Sequence, residues 1–130
     1  MIFKATATMN RKLMIVDDSN VVRRSIERAV NLDNLDIVGV AGNGIKAIEL
    51  FKKTAPDLVT MDITMPEMDG VQCVEELIEL NPDVHILVVS ALADKATAIE
   101  ALSKGAQGYL SKPFNPKELN EAFLELLEDD

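Results

Sequence analysis

At 130 residues the chain is long enough for one compact domain with a sheet covered on both faces, and too short to add a second domain of ordinary size. Its 48% hydrophobic and 27% charged residues set aside disordered and fibrous classes. With 13 Lys and Arg against 22 Asp and Glu, the formal net charge of -9 argues against a nucleic-acid backbone or an anionic membrane as direct partner and favours a cation or a basic protein surface.

The first ten residues lack the apolar core of a signal peptide, and no later apolar run approaches the roughly 20 residues of a membrane span. The expectation is a cytoplasmic protein with a loosely ordered arm over residues 1–10 and one domain over 11–130, with no membrane insertion. Leu13-Met14-Ile15-Val16 is a continuous apolar run, too short for a helix, that ends on Asp17-Asp18-Ser19-Asn20. Val22, Ile26, Ala29 and Val30 then recur at helical spacing, with Ser19 or Asn20 as N-cap and Arg23, Arg24, Glu27 and Arg28 on the other faces. Asp36 to Ala41 reads as a second strand. Asn43 caps a helix whose stripe is Ala47, Ile48 and Phe51 and which stops before Ala55-Pro56.

Leu58-Val59-Thr60-Met61-Asp62 is a third, buried strand that delivers a carboxylate to the place where Pro66 and Gly70 turn the chain. A helix through Val71, Val74, Leu77 and Ile78 ends at Asn81-Pro82; it carries Cys73, the only cysteine, which permits no internal disulfide and reads as a small buried hydrophobe. Ile86-Leu87-Val88-Val89 runs onto Ser90-Ala91 as strand four, with His85 a bland residue at its start. Asp94 opens a weaker helix with Ala98, Ala101 and Leu102 inward and Gly105 as its stop. Gly108 to Ser111 reads as the fifth and shortest strand, and it leads into Lys112-Pro113-Phe114. Asn115-Pro116-Lys117-Glu118 has the form of a capping box before a helix built on Leu119, Ala122, Phe123, Leu126 and Leu127.

Five strands alternate with five helices, and four of the strands are apolar throughout, the pattern of a doubly wound parallel sheet buried on both faces. In such a sheet ligands sit outside the carboxyl ends of the strands. Those ends carry Asp17, Asp18, Asp62, Ser90 and Lys112. Carboxylates crowded within about 4 to 6 Å repel one another by several kcal/mol and call for a divalent cation. With hard oxygen donors and no nearby His or Cys, Mg²⁺ is favoured over Zn²⁺, and Mg²⁺ characteristically shares phosphate oxygens. Lys112 and Ser90 add the charge and the hydrogen bond that a transferring phosphoryl group needs, and Asp62 is the best-placed nucleophile, so an acyl phosphate on Asp62 is expected.

The acidic pair Asp17-Asp18, Asp62 followed by Met65-Pro66-Glu67-Met68-Asp69-Gly70, Ser90-Ala91, and Tyr109-Leu110-Ser111-Lys112-Pro113-Phe114 together resemble a response-regulator receiver domain of the stand-alone CheY-like family. The resemblance runs from about Arg11 to the C-terminus. Any one motif is weak, and the set, in order and on alternating elements, is specific. It implies a flavodoxin-like (βα)5 fold with strand order 2-1-3-4-5. It further implies that Asp62 accepts a phosphoryl group from a histidine kinase, and that Asp17, Asp18, Asp62 and the Thr64 backbone carbonyl bind Mg²⁺. Lys112 would pair with the phosphoryl oxygens, Ser90 would move to hydrogen-bond them, and Tyr109 would turn inward as Ser90 moves. A cis peptide between Lys112 and Pro113 belongs to the same pattern.

Phosphorylation adds about -1.5 to -2 charge, and the helix between Ala93 and Gly105 with strand five reads as the softest part of the scaffold and so the readout face. Ser90 keeps the hydroxyl of the threonine found in many receivers and lacks its methyl, which loosens the switch. The resemblance also places Leu92 beside the path of attacking water, where an apolar side chain implies slow loss of phosphate. Because the sequence ends at Asp130, the expected output is another protein, in chemotaxis, motility or a phosphorelay, with the chain a monomer or a weak phosphorylation-dependent dimer. Such a protein is a stoichiometric phosphoacceptor and not an enzyme. A phosphorylation-independent receiver-fold interaction module is the rival reading. A Mg²⁺-dependent aspartyl-phosphate phosphohydrolase would want a second Asp at the Thr64 position and does not find one.

Overall fold

Apolar runs and caps alternate along the chain, and the computed structural model, which describes residues 10–63, 65 and 69–128, turns each into an element. In order these are β1 (Arg11–Val16), α1 (Asn20–Ala29), β2 (Leu35–Ala41), α2 (Gly44–Thr54), β3 (Leu58–Met61), α3 (Gly70–Leu80), β4 (His85–Ala91), a 3-10 turn (Leu92–Asp94), α4 (Lys95–Ser103), β5 (Gly108–Lys112) and α5 (Pro116–Glu128). The arm expected over residues 1–10 lies, but for Asn10, outside the described residues.

The caps explain where the helices begin. Val22 N donates to Ser19 Oγ, Lys46 N to Asn43 Oδ1 and Gln72 N to Asp69 Oδ1, each satisfying one of the orphan amides of a first turn. The capping box forms as the sequence predicts: Glu118 N donates to Asn115 Oδ1 at 2.8 Å and Asn115 N to Glu118 Oε1 at 2.9 Å. Helix α4 lacks such a bond, since Asp94 makes no side-chain cap.

All strand pairs are parallel, in the order β2-β1-β3-β4-β5 that the resemblance implies. Because strand side chains alternate, Leu13, Ile15, Leu58, Leu87 and Val89 point to one face, where Ile26 of α1 and Leu119 and Phe123 of α5 cover them. Met14, Val16, Val59, Met61, Ile86 and Val88 point to the other, against Phe51, Val74, Leu77 and Ala98. A side chain such as Phe123, fully buried, contributes about 1.5–3 kcal/mol.

Two expectations need correction. The shortest strand is β3, with 4 residues, and not β5, with 5, because pairing with β4 carries β5 on through Lys112. Leu102, expected inward, is 37% exposed, and α4 buries only Ala98 and Ala101. The helix rests on the sheet through small side chains, and its position in the turn leaves Leu102 and Ile99 facing out.

Candidate functional site

Parallel strands bring every carboxyl end to one edge, and register decides which residues meet there. Val16 of β1 is paired with Met61 of β3, so Asp17 and Asp62, one residue beyond each, arrive side by side. Their backbones are fixed at the sheet: Asp62 N donates to Val16 O at 2.9 Å and Asp17 N to Ala41 O at 3.0 Å. Asp17, Asp18 and Asp62 each place a carboxylate oxygen within 4.8 Å of the other two. Asp17 and Asp62 are buried and Asp18 is exposed, so the cluster has an acidic floor and an open rim.

Lys112, at the end of β5, reaches across this edge. Its Nζ donates to Asp17 Oδ2 at 3.0 Å and lies 3.9 Å from Asp62 Oδ2. The other Asp17 oxygen accepts from Ser19 N at 2.9 Å. One ammonium cannot balance three carboxylates, whose mutual repulsion at this spacing amounts to several kcal/mol at an effective dielectric near 20. The donor set is all hard oxygen, and a lysine already stands where positive charge is needed. Both features fit a divalent cation of the Mg²⁺ type.

Ser90, fully buried on β4, lies beside Ser111 of β5, and among the described residues its Oγ makes one long 3.4 Å bond, to Ala91 O. Tyr109, opposite Val88, packs half-buried on the core that α2, α3 and α4 cover. Its hydroxyl is buried with no hydrogen-bond partner among the described residues. The Lys112–Pro113 peptide is cis, as the resemblance implies. Thr64 lies outside the described residues, as does the side chain of Leu92. Cys73 is buried, its Sγ 3.9 Å from Gly44 O, and burial with Glu76 and Asp69 nearby pushes the thiol up to about 12, so it remains a neutral hydrophobe.

Two contacts that shape the site escape sequence reasoning. Gly70 packs on the backbone that follows the central acid: a Cβ there would lie 2.2 Å from Ile63 Cα and 2.6 Å from Asp62 O. Arg23, placed by helical periodicity on an outer face, instead folds back so that Nη1 donates to Asp17 O at 2.5 Å. The only signal for it in the sequence is a cation six residues after Asp17, within reach of the same turn.

A doubly wound sheet whose carboxyl edge carries three acids and a lysine defines the receiver class of signalling domain. Residues 13–124 match the response regulator receiver domain family, and the chain belongs to that family. Among its relatives, chemotaxis protein CheY of Thermotoga maritima is 39% identical over 114 residues, covering 88% of this chain and 95% of that one. Chemotaxis protein CheY of Bacillus subtilis is 37% identical over 114 residues with the same coverage. Among solved structures, CheY in the CheX-CheY-BeF3-Mg²⁺ complex of Borrelia burgdorferi superposes with a TM-score of 0.86 at 26% identity, over 95% of this chain and 93% of that one. The chain is therefore a response regulator of two-component signalling with chemotaxis proteins among its relatives. No helix among the described residues is long and apolar enough to cross a membrane.

Proposed function

We propose that Asp62 is the phosphoacceptor, taking a phosphoryl group from the phosphohistidine of a histidine kinase and so changing the surface presented to a downstream protein. The observation that carries this is the cluster itself: three carboxylates within 4.8 Å, with the Lys112 ammonium 3.0 Å from Asp17 and 3.9 Å from Asp62. One Asp62 oxygen attacks phosphorus, the phosphorus–nitrogen bond breaks, and the imidazole leaves with a proton. Asp17, Asp18 and Asp62, with the Thr64 carbonyl, would hold Mg²⁺, which when bound neutralises charge on the transferring oxygens. Lys112 takes up a phosphoryl oxygen, relinquishing part of its contact with Asp17. Ser90 exchanges its 3.4 Å contact with Ala91 O for a bond to the phosphoryl group.

The readout follows from which parts of the scaffold are least anchored. Ser90 neighbours β5 through Ser111, and Tyr109 on that strand packs beside α4, which has no side-chain cap and buries two alanines. Phosphorylation therefore biases the α4–β5 face, with Ser90 and Tyr109 as the switch pair. Relatives named as chemotaxis proteins, and the Borrelia CheY held with CheX, support a protein output in chemotaxis or motility in the cytoplasm. The net charge of -9 supports no direct role for nucleic acid. We further take the chain to act as a stoichiometric acceptor, monomeric or weakly dimeric when phosphorylated, with Leu92 slowing loss of phosphate.

Incubation with acetyl phosphate and Mg²⁺, followed by intact mass, tests the reading. Wild type gains one phosphoryl mass, Asp62→Asn gains none, and wild type with EDTA gains none. Absence of the adduct in wild type overturns the assignment and leaves the phosphorylation-independent module in its place, while its persistence in Asp62→Asn overturns Asp62 as the acceptor and moves the phosphoryl group to another residue.

A further inference from the structure

The turn between β1 and α1 carries two of the three acids, and one guanidinium closes it. Arg23 Nη1 donates to Asp17 O at 2.5 Å and Nη2 donates to Asn20 Oδ1. The Arg23 backbone N–H donates to Ser19 O at 3.0 Å, so side chain and main chain bind the same turn from both sides. The space the guanidinium occupies is left by Gly42, just past β2, where an added Cβ would stand 3.3 Å from Nη1. With Lys112 Nζ on its Oδ2, Asp17 is thereby held at four points, the others being its N–H on Ala41 O, its Oδ1 by Ser19 N, and its carbonyl by Arg23.

Asp18 is different. It is exposed, and no hydrogen bond from the described residues fixes its carboxylate, so its direction is inherited from the peptide that joins it to Asp17. The carbonyl of that peptide is the one Arg23 holds. A guanidinium is a rigid planar fork that binds two acceptors at a fixed angle, which an ammonium cannot do. We infer that Arg23 is a positioning residue for the cation site, holding the Asp17–Asp18 peptide so that the Asp18 carboxylate stands with Asp17 and Asp62. A side chain at Gly42 would press on the guanidinium from the other side. The inference rests on the proposed Mg²⁺ site.

Calorimetric titration with Mg²⁺, alongside melting in EDTA, tests it on the full chain. Wild type, Arg23→Ala, Arg23→Lys, Gly42→Val and Arg24→Ala form the set. Arg24→Ala removes the same charge one residue on, from the exposed side of the helix. Arg23→Ala is expected to weaken Mg²⁺ binding about tenfold, the lower end of what loss of an outer partner costs a metal site. Arg23→Lys recovers part of that loss. Gly42→Val, which keeps the guanidinium but crowds it, shifts affinity in the same direction and carries the test if Arg23→Ala does not fold. Arg24→Ala binds as wild type does. Unchanged affinity in both Arg23→Ala and Gly42→Val overturns the inference, as does an equal loss in Arg24→Ala, which would make the effect one of net charge. Failure of wild type to bind Mg²⁺ instead overturns the metal reading of the site.

Discussion

Strand β3 is bracketed by two aspartates, Asp57 before Leu58 and Asp62 after Met61, and they live in opposite surroundings. At the amino end, Asp57 is built into the scaffold: its Oδ2 accepts from Lys12 N at 2.8 Å, its N–H donates to Lys12 O, and its carbonyl accepts from His85 N. Lys12 Nζ in turn donates to Thr54 O, and Gln107 caps the same end through Ile86 N. At the carboxyl end, Asp62 faces two further acids and a lysine. A carboxylate at a strand end is thus not a site by its chemistry alone. Donors convert one into structure, and crowding by like charge leaves the other able to gain from a cation or a phosphoryl group.

The largest effect belongs to Gly70, which packs against the backbone at the carboxyl end of the strand. Gly70→Ala sets a methyl 2.2 Å from Ile63 Cα, where backbone must move, and is expected to cost about 3 kcal/mol in urea unfolding. A cost near zero would show that the loop after Asp62 yields freely and that its position is not fixed by packing. Next is the other end: Asp57→Ala removes the acceptor of a charge-assisted bond from Lys12 N and is expected to cost about 2 kcal/mol while leaving Mg²⁺ binding at wild-type strength. A changed Mg²⁺ affinity in this variant would mean that the two ends of the strand are coupled.

How far the sequence discloses these two ends depends on the kind of contact involved. Continuous apolar runs show the strands, and parallel alternation with helices places Asp17, Asp18, Asp62, Ser90 and Lys112 on one edge without any knowledge of distances. The caps Ser19, Asn43, Asp69 and Asn115 are local and legible, though Asp69 comes to notice only with α3 in view. Arg23 is not, because periodicity gives the helical face of its Cα and says nothing of where a long side chain folds back. Gly70 is legible as a turn residue but not as a contact with Ile63 and Asp62, and the pairing of Asp57 with Lys12 spans 45 positions that no local pattern links. Leu102 misleads for a related reason: in a helix of small residues the inward stripe is narrow, and leucine alone does not mark it.

Between the two ends sits a polar group that serves neither. Thr60, at the middle of β3 and 1% exposed, has a hydroxyl with no hydrogen-bond partner among the described residues. Its neighbours in register are Ile15 and Leu87, so the group is set in an apolar layer. Replacing an unsatisfied hydroxyl by a methyl of the same shape removes a desolvation penalty, and Thr60→Val is expected to raise stability by about 1 kcal/mol. Phosphorylation of Asp62 should be unaltered. A loss of stability in Thr60→Val would mean that the hydroxyl has a partner in solution.

The smallest expected effect is the one with the most to say, because its sign differs between the ends. Removing charge from Asp57 takes away a bonded acceptor and destabilises. Removing charge from Asp18 takes away a repelling neighbour 4.8 Å or less from Asp17 and Asp62 oxygens, and it strands no donor among the described residues. Asp18→Asn should therefore melt about 2 to 4 °C above wild type in EDTA, a small gain because the carboxylate is exposed and screened. On the proposed Mg²⁺ site, the same substitution should also erase any rise in melting temperature on adding Mg²⁺, since the carboxylate that crowds the cluster is also one of the groups that would hold the cation. Higher salt should shrink the gain in EDTA, because it screens the repulsion being relieved, and should leave the cost of Asp57→Ala nearly untouched. If Asp18→Asn instead melts lower than wild type in EDTA, Asp18 is bonded into the scaffold as Asp57 is, and repulsion is not what fits this end of the strand to the proposed cation.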